Sequence, residues 1–506
     1  MAAKDDFELA PPPAASMVEA LRGIGYSLET AIADLLDNSI SAGATSIWIV
    51  FGWNGPDSHI SILDDGRGLS EPELFQAMRP GSKSPLEDRD PRDLGRFGLG
   101  LKTASFSQCR RLTVASKRSG SRVALRRWDL DYVARHNEWR LLKTPAAGSQ
   151  ERLASLPDEG SGTIVLWELL DRVVGEEVVD DEGARRHFHQ LIERVREHLA
   201  MVFHRFLAGS RPDLKIYING TRNEHRVTAW DPFLTEHPAT IPFPHDPIPC
   251  RDGRVVVRGF VLPHKDRLGD EQHRGASGPA GWNAQQGFYV YRNRRLLVAG
   301  NWLGLGSERP WTKEEHYKLA RIQLDIPNTM DADWKIDVRK STARPPVSVR
   351  KRLRELADQV RKQAREVFSH RGRGQSRKAS EPIVRAWKEV SIAGRLAYRV
   401  NRDHPVIATC LSQQVVPRED ILLMLRILEE TVPVHQIWLD AAERPDTHAQ
   451  PFETAPPAEL QMLLAAVFHA LMRIPGMDTQ AARRRLLAME PFNQFPALVE
   501  DVLGRY

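Results

Sequence analysis

Two polar side chains one helical turn apart, Asp34 and Asn38, are the first residues whose types and spacing could do chemistry. They lie in the segment A-D-L-L-D-N-S, and side chains four residues apart project from one face of a helix. A carboxylate can orient or deprotonate a water molecule, and the neutral amide oxygen of asparagine can ligate Mg²⁺ without adding charge. A solvated polar helix face is the simpler alternative.

A second candidate group follows a short apolar strand, where the chain reads Asp64-Asp65-Gly66-Arg67-Gly68. A buried aspartate at the end of a strand can accept a hydrogen bond from an exocyclic amine, as adenine offers. The glycines Gly66 and Gly68 would let the backbone approach a flat ligand closely. An ordinary Asp/Gly turn has the same composition, so this segment alone leaves both interpretations open.

The third group is the glycine-rich segment from Gly95 to Thr103, which opens a predicted helix. Glycines before a helix N-terminus present N–H groups to phosphate, and Lys102 would add a cation. A P-loop is excluded because Leu101 separates the last glycine from the lysine, and because the preceding EDRDPRDL cannot form a buried strand. The segment predicts phosphate binding at a helix N-terminus.

The elements that must position these groups follow from the apolar periodicity of the sequence up to Leu170. Ser27 can cap a helix with an apolar face; that face contains Leu28, Ile32, Leu35 and Leu36. Strands are predicted over residues 46–53 and for HISIL, LTVAS, SRVALRRW and GTIVLW. Residues 79–95 lack periodicity and predict a mobile functional loop. The pattern indicates an α/β arrangement with mixed strand order.

The rest of the chain divides into three further parts. A helix over residues 180–207 precedes a second α/β section, which has a hairpin turn at residues 292–294 and ends at Pro345-Pro346. A helix and linker follow, with eleven basic and three acidic residues between Arg350 and Lys378. Such a run can bind nucleic-acid phosphates or form a solvated face that pairs with an acidic partner. The last residues predict a small helical domain.

The composition is that of a folded globular protein, with 506 residues, 41% hydrophobic and 27% charged residues and a net charge of +5. The length predicts about three domains. No apolar run reaches the roughly 20 residues that span a bilayer, and the N-terminus lacks a secretory apolar core. Three dispersed cysteines exclude a disulfide framework and fit a reducing cytoplasm. The histidine spacing predicts no zinc site.

Taken in this order, the three groups resemble the GHKL ATPase superfamily of gyrase, heat-shock chaperones, histidine kinases and MutL. The nearest similarity is to MORC-like and MutL-like members, and it runs through residues 31–44. Gly162-Thr163 resembles the family's late Gly-Thr pair, and Gly81-Ser82-Lys83-Ser84 lies where the family's ATP lid contacts phosphate. The resemblance implies an α+β fold with a Bergerat-type α/β sandwich.

The resemblance implies a role for each matching residue. Asn38 would ligate Mg²⁺, and Asp34 would polarise the attacking water. The adenine pocket would consist of Asp64, Gly66, Gly68 and Thr163. The phosphates would be held by Ser82, Lys83, Gly95, Gly98, Leu99, Gly100 and Lys102. The family has glutamate at the position of Asp34, and because aspartate is one methylene shorter we expect slow hydrolysis.

The resemblance also implies the order of the domains. A GHKL ATP-binding domain would cover residues 1–178 and a transducer-like α/β domain residues 179–346. A basic helix and linker over residues 347–380 and a helical C-terminal domain over residues 381–506 would follow. In this family the transducer supplies a cation to the γ-phosphate, for which Lys340 is the candidate and Lys335 the alternative.

Together these similarities predict a cytoplasmic Mg²⁺-dependent ATPase that forms a homodimer on binding ATP and acts on DNA as a clamp. A restriction or antiphage system with its partner proteins is the implied context. A heat-shock-type chaperone is an alternative, which an apolar client surface after the transducer would favour. A non-hydrolysing ATP-binding adaptor is another, because of Asp34. A histidine kinase is disfavoured because no phosphoacceptor bundle fits before residue 27.

Overall fold

The structure of the protein is a computed structural model. The structure describes residues 12–23, 25–81, 100–156, 159–175, 179, 181–251, 253–306, 308–330, 333–336, 343–369, 387–392, 395–403, 417–443, 457–473, 475–487 and 496–504. The chain forms two compact units, Met1–Gly374 and Gln375–Tyr506. In the part that is described, no helix is both long and apolar enough to cross a membrane.

A six-stranded sheet is the first layer of the N-terminal unit. Its strands are β1 Ser46–Gly52, β2 His59–Asp64, β3 Arg111–Lys117, β4 Ala124–Asp129, β5 Gly162–Glu168 and β6 Lys215–Ile218. Their order is β4-β3-β5-β2-β1-β6, with every pair antiparallel except β1–β6. Burial alternates along β1, so Ile47, Ile49 and Phe51 enter the core.

Helices pack against this sheet. They are α1 Ala14–Arg22, α2 Leu28–Ser41, α3 Glu71–Met78, α4 Gly100–Phe106, α5 Leu130–His136, α6 Gln150–Leu153, α7 Glu182–Val202 and α8 His204–Leu207. The predicted start of α2 is confirmed, since the Ser27 hydroxyl accepts a hydrogen bond from the Thr30 N–H. The apolar face of α2, with Ile32 and Leu36, is fully buried in the core.

The first layer continues beyond the predicted domain boundary at residue 178. Helix α7 buries Phe188, Val195 and Leu199 in the core of the first sheet, and β6 pairs in parallel with β1. The first helix and the first strand assigned to the transducer section by sequence therefore belong to the first layer. There are two physical reasons. The apolar stripe of α7 is buried in the core of the first sheet, and β6 forms hydrogen bonds with the open edge of β1.

A second sheet follows. Its strands are β7 Ile241–Pro242, β8 Asp246–Cys250, β9 Gly253–Val261, β10 Gly287–Arg292, β11 Arg295–Asn301 and β12 Ala320–Ile326. Their order is β11-β10-β12-β9-β7, with β8 also on β9 and only β10–β12 parallel among the described pairs. The predicted hairpin is confirmed, and its turn residues Asn293 and Arg294 both have positive φ.

Short helical segments and one long helix complete the N-terminal unit. They are α9 Asp270–Ala276, 3-10 turns at Asn223–His225, Lys265–Arg267, Glu315–Tyr317 and Asn328–Met330, and α10 Val347–Ser369. Helix α10 buries Val349, Leu353 and Val360 in the core of the second sheet. The predicted basic helix therefore belongs to the same layer as the second sheet, because its apolar stripe is buried against that sheet. Its Lys351 and Lys362 are exposed.

The C-terminal unit begins with a small antiparallel hairpin of β13 Trp387–Ile392 and β14 Arg395–Val400. The helices Arg418–Glu430, Val434–Glu443, Pro457–Met472, Thr479–Leu487 and Pro496–Leu503 follow. Leu464, Phe468 and Leu486 contribute to a core shared by the last three. The predicted α+β class is confirmed, and the described C-terminal residues are helical apart from this hairpin.

Candidate functional site

One buried polar group of the candidate site is the carboxylate of Asp64, at the end of β2. Its side chain is 7% exposed. Its Oδ2 accepts a hydrogen bond from the Ser39 hydroxyl at 2.8 Å, and its Oδ1 accepts one from the Gly66 N–H at 2.9 Å. Burial raises the pKa of Asp64, while the bonds from Ser39, Gly66 and the backbone of Thr163 oppose this rise. The structure thus holds an acceptor in a fixed orientation.

The neighbouring carboxylate, that of Asp65, has a different role. Asp65 is exposed, and its oxygens accept hydrogen bonds from the Thr45 N–H at 2.7 Å, the Thr45 hydroxyl at 2.8 Å and the Ser46 N–H at 2.9 Å. These bonds tie the turn after β2 to the start of β1. Of the two adjacent aspartates, Asp65 is therefore the one that fixes the turn.

The glycines after Asp64 make room for the protein's own atoms. A Cβ on Gly66 would lie 2.9 Å from Oδ1 of Asp64. Gly68 has a φ of +66°, and a Cβ there would lie 1.9 Å from the carbonyl oxygen of Lys117. Both positions require glycine because the turn packs directly onto the carboxylate and onto β3.

Thr163 lies opposite Asp64 in the β2–β5 ladder. Its hydroxyl is 2.8 Å from the hydroxyl of Ser116 on β3. The Ser116 hydroxyl also accepts a hydrogen bond from the Leu69 N–H at 2.8 Å. Thr163 and Ser116 therefore connect Asp64 to the strands and to the turn around it.

Helix α2 contributes two polar residues at the predicted spacing. Asp34 is buried, and its Oδ2 accepts a hydrogen bond from the Tyr26 hydroxyl at 2.9 Å. The backbone carbonyl of Tyr26 accepts a bond from Gln108, which fixes the tyrosine. A Cβ on Gly100 would lie 3.9 Å from the same Oδ2, so the Asp34 carboxylate lies beside the start of α4. Asn38, one turn later on α2, is exposed.

Lys102 on α4 points into the protein. Its side chain is 2% exposed, and its ammonium donates to the carbonyl oxygen of Ala77 in the last turn of α3 at 2.9 Å. Burial lowers the pKa of Lys102 to about 8. The predicted phosphate ligand thus ties α4 to α3 in this structure.

Several predicted site residues lie outside the described residues. They are Ser82, Lys83, Gly95, Gly98, Leu99 and Lys340. Their roles remain predictions. Lys335, the alternative to Lys340, is exposed in a turn with a φ of 48°.

The donor set at α2 fits a magnesium ion that arrives with a nucleotide. Within the described ranges, no three His, Cys, Asp or Glu residues come together as a metal site. Mg²⁺ on a nucleotide typically takes only one or two protein oxygens, with the phosphates and water as its other ligands. The exposed amide of Asn38, one turn from the Asp34 carboxylate, can supply such an oxygen.

Tyr26, Ser39 and Ser116 contact candidate site residues, and the sequence analysis did not select them. Ser39 follows Asn38 directly, but one helical step turns its side chain towards β2 instead of along the Asp34 face. Tyr26 and Ser116 reach the site only through the packing of α2, β2 and β3. Of these three residues, only Ser39 could have been selected from the sequence, because it directly follows a predicted site residue.

Comparison with known proteins agrees with this arrangement. Residues 26–163 match the family model described as histidine kinase-, DNA gyrase B-, and HSP90-like ATPase. ATPase morc-1 of Caenorhabditis elegans is 31% identical over 96 residues, which are 19% of this chain and 11% of that protein.

Two bacterial relatives are named DNA mismatch repair protein MutL. The protein of Rhodospirillum rubrum is 33% identical over 93 residues, which are 18% of this chain and 15% of that protein. The protein of Paramagnetospirillum magneticum is 36% identical over 104 residues, which are 20% of this chain and 16% of that protein. The chain spans only a small part of the length of each of these relatives. Residues 26–163 therefore match the GHKL ATPase family, and part of the chain is similar to MORC and MutL proteins.

Proposed function

We propose that this chain is a Mg²⁺-dependent ATPase whose nucleotide state controls a homodimer acting on DNA. The observation that carries the proposal is the buried Asp64 carboxylate, held by Ser39 and Gly66 at the end of β2. The family match over residues 26–163 supports ATP as the ligand. The names of the MORC and MutL relatives support nucleotide hydrolysis and a role on DNA.

Each residue then has a defined task. Asp64 accepts a hydrogen bond from the adenine amine, and the fixed orientation of its oxygens makes the site selective for a donor. Asn38 ligates Mg²⁺, which when bound neutralises charge on the phosphates. Asp34 orients the attacking water and takes its proton, and the Tyr26 hydroxyl keeps this short carboxylate in place. Lys83 and Lys340 are proposed as further phosphate ligands.

The adenine contact can be tested by replacing Asp64 with asparagine. The fold tolerates Asp64→Asn because Oδ1 still accepts from Gly66 and the Ser39 hydroxyl can turn to accept from the new amide. One of the two acceptor oxygens then becomes an NH₂ donor that opposes the adenine amine, and ATP should bind about ten- to a hundredfold more weakly in titration calorimetry. Asp65→Asn, next to it but outside the pocket, is the matched control and should bind normally. Equal ATP affinity for Asp64→Asn and the parent protein would contradict the assignment.

Hydrolysis is tested separately with Asp34→Ala. This variant should bind Mg²⁺-ATP as the parent does but lose about 10²–10⁴-fold in turnover, because the carboxylate acts at the chemical step. Asp34→Glu, which restores the family's side-chain length, should turn over faster than the parent. A parent protein that binds ATP without turnover above background would favour the adaptor alternative.

A heat-shock-type chaperone is the second candidate function, and one observation favours it. In the C-terminal unit, Leu422, Leu423 and Trp438 are each more than half exposed, with 54%, 53% and 51% of their surface accessible. ATP-dependent suppression of the aggregation of an unfolded protein would support this candidate. DNA-stimulated ATP turnover without such suppression would support the clamp.

A further inference from the structure

A buried ion pair ties helix α2 to the second sheet. Nε of Arg295, the first residue of β11, donates to Oδ1 of Asp37 at 2.9 Å, and the two side chains are only 4% and 1% exposed. The ring of Phe203 packs against the guanidinium, with its centroid 4.8 Å from Cζ. Because both charges are removed from water, removing one partner should cost more stability than breaking an exposed ion pair.

Other charged groups lie near this pair. His198 on α7 lies close to it, but burial and the Arg295 guanidinium lower its pKa to about 3, so it is neutral at physiological pH. Two other ion pairs nearby join the first layer to the second sheet. They are Arg294–Asp213, at 2.7 Å, and Arg205–Asp325. Neither of these pairs includes a residue of α2.

Asp37 directly precedes Asn38, the proposed Mg²⁺ ligand. Asp37, Asn38 and Ser39 are consecutive residues in the last turns of α2. Asp37 is held by Arg295, and Ser39 is held by Asp64 at 2.8 Å, so the exposed Asn38 lies between two fixed neighbours. Fixing both neighbours sets the rotation of this helical turn, and with it the direction of the Asn38 amide.

We infer that Arg295 is a positioning residue of the nucleotide site, which acts through Asp37 to aim Asn38 at Mg²⁺. This inference rests on the proposed function, since it assumes that Asn38 meets the metal of Mg²⁺-ATP. A residue of the second sheet then completes a site built on the first. Because coupling between sites is reciprocal, Mg²⁺-ATP bound at Asn38 also stabilises the β10–β11 hairpin.

The full-length double variant Asp37→Asn/Arg295→Gln tests the positioning role. It removes both buried charges together and keeps groups that can hydrogen-bond, so it avoids an unpaired charge. Calorimetry of ATP binding at several Mg²⁺ concentrations should show that the Mg²⁺ concentration needed for half of its effect rises about tenfold. Tenfold is the lower end of the loss in metal affinity when a residue that orients a metal ligand is removed. Affinity for ATP without Mg²⁺ should not change. Arg294→Gln, which breaks the half-exposed pair with Asp213 in the same hairpin, is the control and should match the parent.

An unchanged Mg²⁺ requirement in a double variant that binds ATP would overturn the positioning role alone. A parent protein that binds no ATP would overturn the proposed function as well. Hydrogen exchange of the parent gives a test that needs no variant, because Mg²⁺-ATP should slow exchange of the β10–β11 amides. Unaltered exchange there in a parent saturated with Mg²⁺-ATP would also overturn the inference.

Discussion

Among single residues, Lys102 has a charge that a bound phosphate should change. Its ammonium is buried against the Ala77 carbonyl, and burial lowers its pKa to about 8. Above that pH the side chain is mostly neutral in the free protein. An anionic phosphate nearby would favour the charged form and raise the pKa again.

Binding of ATP above about pH 8 should therefore be accompanied by proton uptake at Lys102. Calorimetry in two buffers of different ionisation enthalpy measures this uptake. The Lys102→Met variant should show less uptake than the parent at the same pH. If the two proteins take up equal numbers of protons, Lys102 does not meet phosphate and serves only to join α3 and α4.

The residues of the site differ in how far the sequence could predict them. Asp34 and Asn38 could be selected as candidates because helical spacing places them on one face. Asp64 could be selected from its place at a strand end, although only the structure separates it from Asp65 by burial. Tyr26 meets Asp34 only because the chain turns back before α2, which no local pattern encodes.

At the scale of elements, the turn after β2 depends on the close packing of Gly68 onto β3. Gly68→Ala should destabilise the protein strongly, because the new Cβ would meet the Lys117 carbonyl at 1.9 Å in addition to the strain of a positive φ. The φ strain alone costs about 1–2 kcal/mol, and the overlap should add about 1–3 kcal/mol. Thermal or urea unfolding measures the difference.

The matched control is Gly120→Ala in the turn between β3 and β4. Gly120 has a φ of +73°, but a Cβ there would have no atom within 4 Å. This variant should show only the φ strain. Equal losses for the two variants would mean that the turn after β2 moves freely away from β3.

The elements that were predictable carry local signals, and those that were not depend on distant partners. Helix α2 has a capping serine and an apolar face, and β1 has alternating burial. By contrast, nothing within the four residues of β6 shows which sheet they join, because the deciding contact is the free edge of β1. The same holds for α10, whose apolar stripe predicted a helix but not the sheet that covers it.

At the scale of the whole molecule, the outer face of α10 is the candidate surface for DNA. Its Lys351 and Lys362 are exposed, whereas Arg352 is already paired with Asp246 at 2.7 Å. Cations on such a face bind phosphates without reading sequence, and the binding weakens as salt rises.

Replacing both Lys351 and Lys362 with glutamine should weaken DNA binding similarly for all sequences. The slope of log affinity against log salt should become shallower by about 0.9 for each phosphate that the variant no longer neutralises. Fluorescence anisotropy at several salt concentrations measures it. Arg352→Gln, which removes a charge that is already neutralised, is the control. A slope that stays the same in the double variant would place the DNA surface elsewhere.

The parallel pairing of β6 with β1 also has a consequence for how the protein is made. The edge of β1 stays open while the ribosome synthesises everything between the two strands, because its partner emerges only after α7 and α8. Pairings between such distant segments form slowly, since a long loop must close first. An unpaired strand edge invites association with other chains. The nascent first layer is therefore most vulnerable to aggregation until Lys215–Ile218 leaves the exit tunnel.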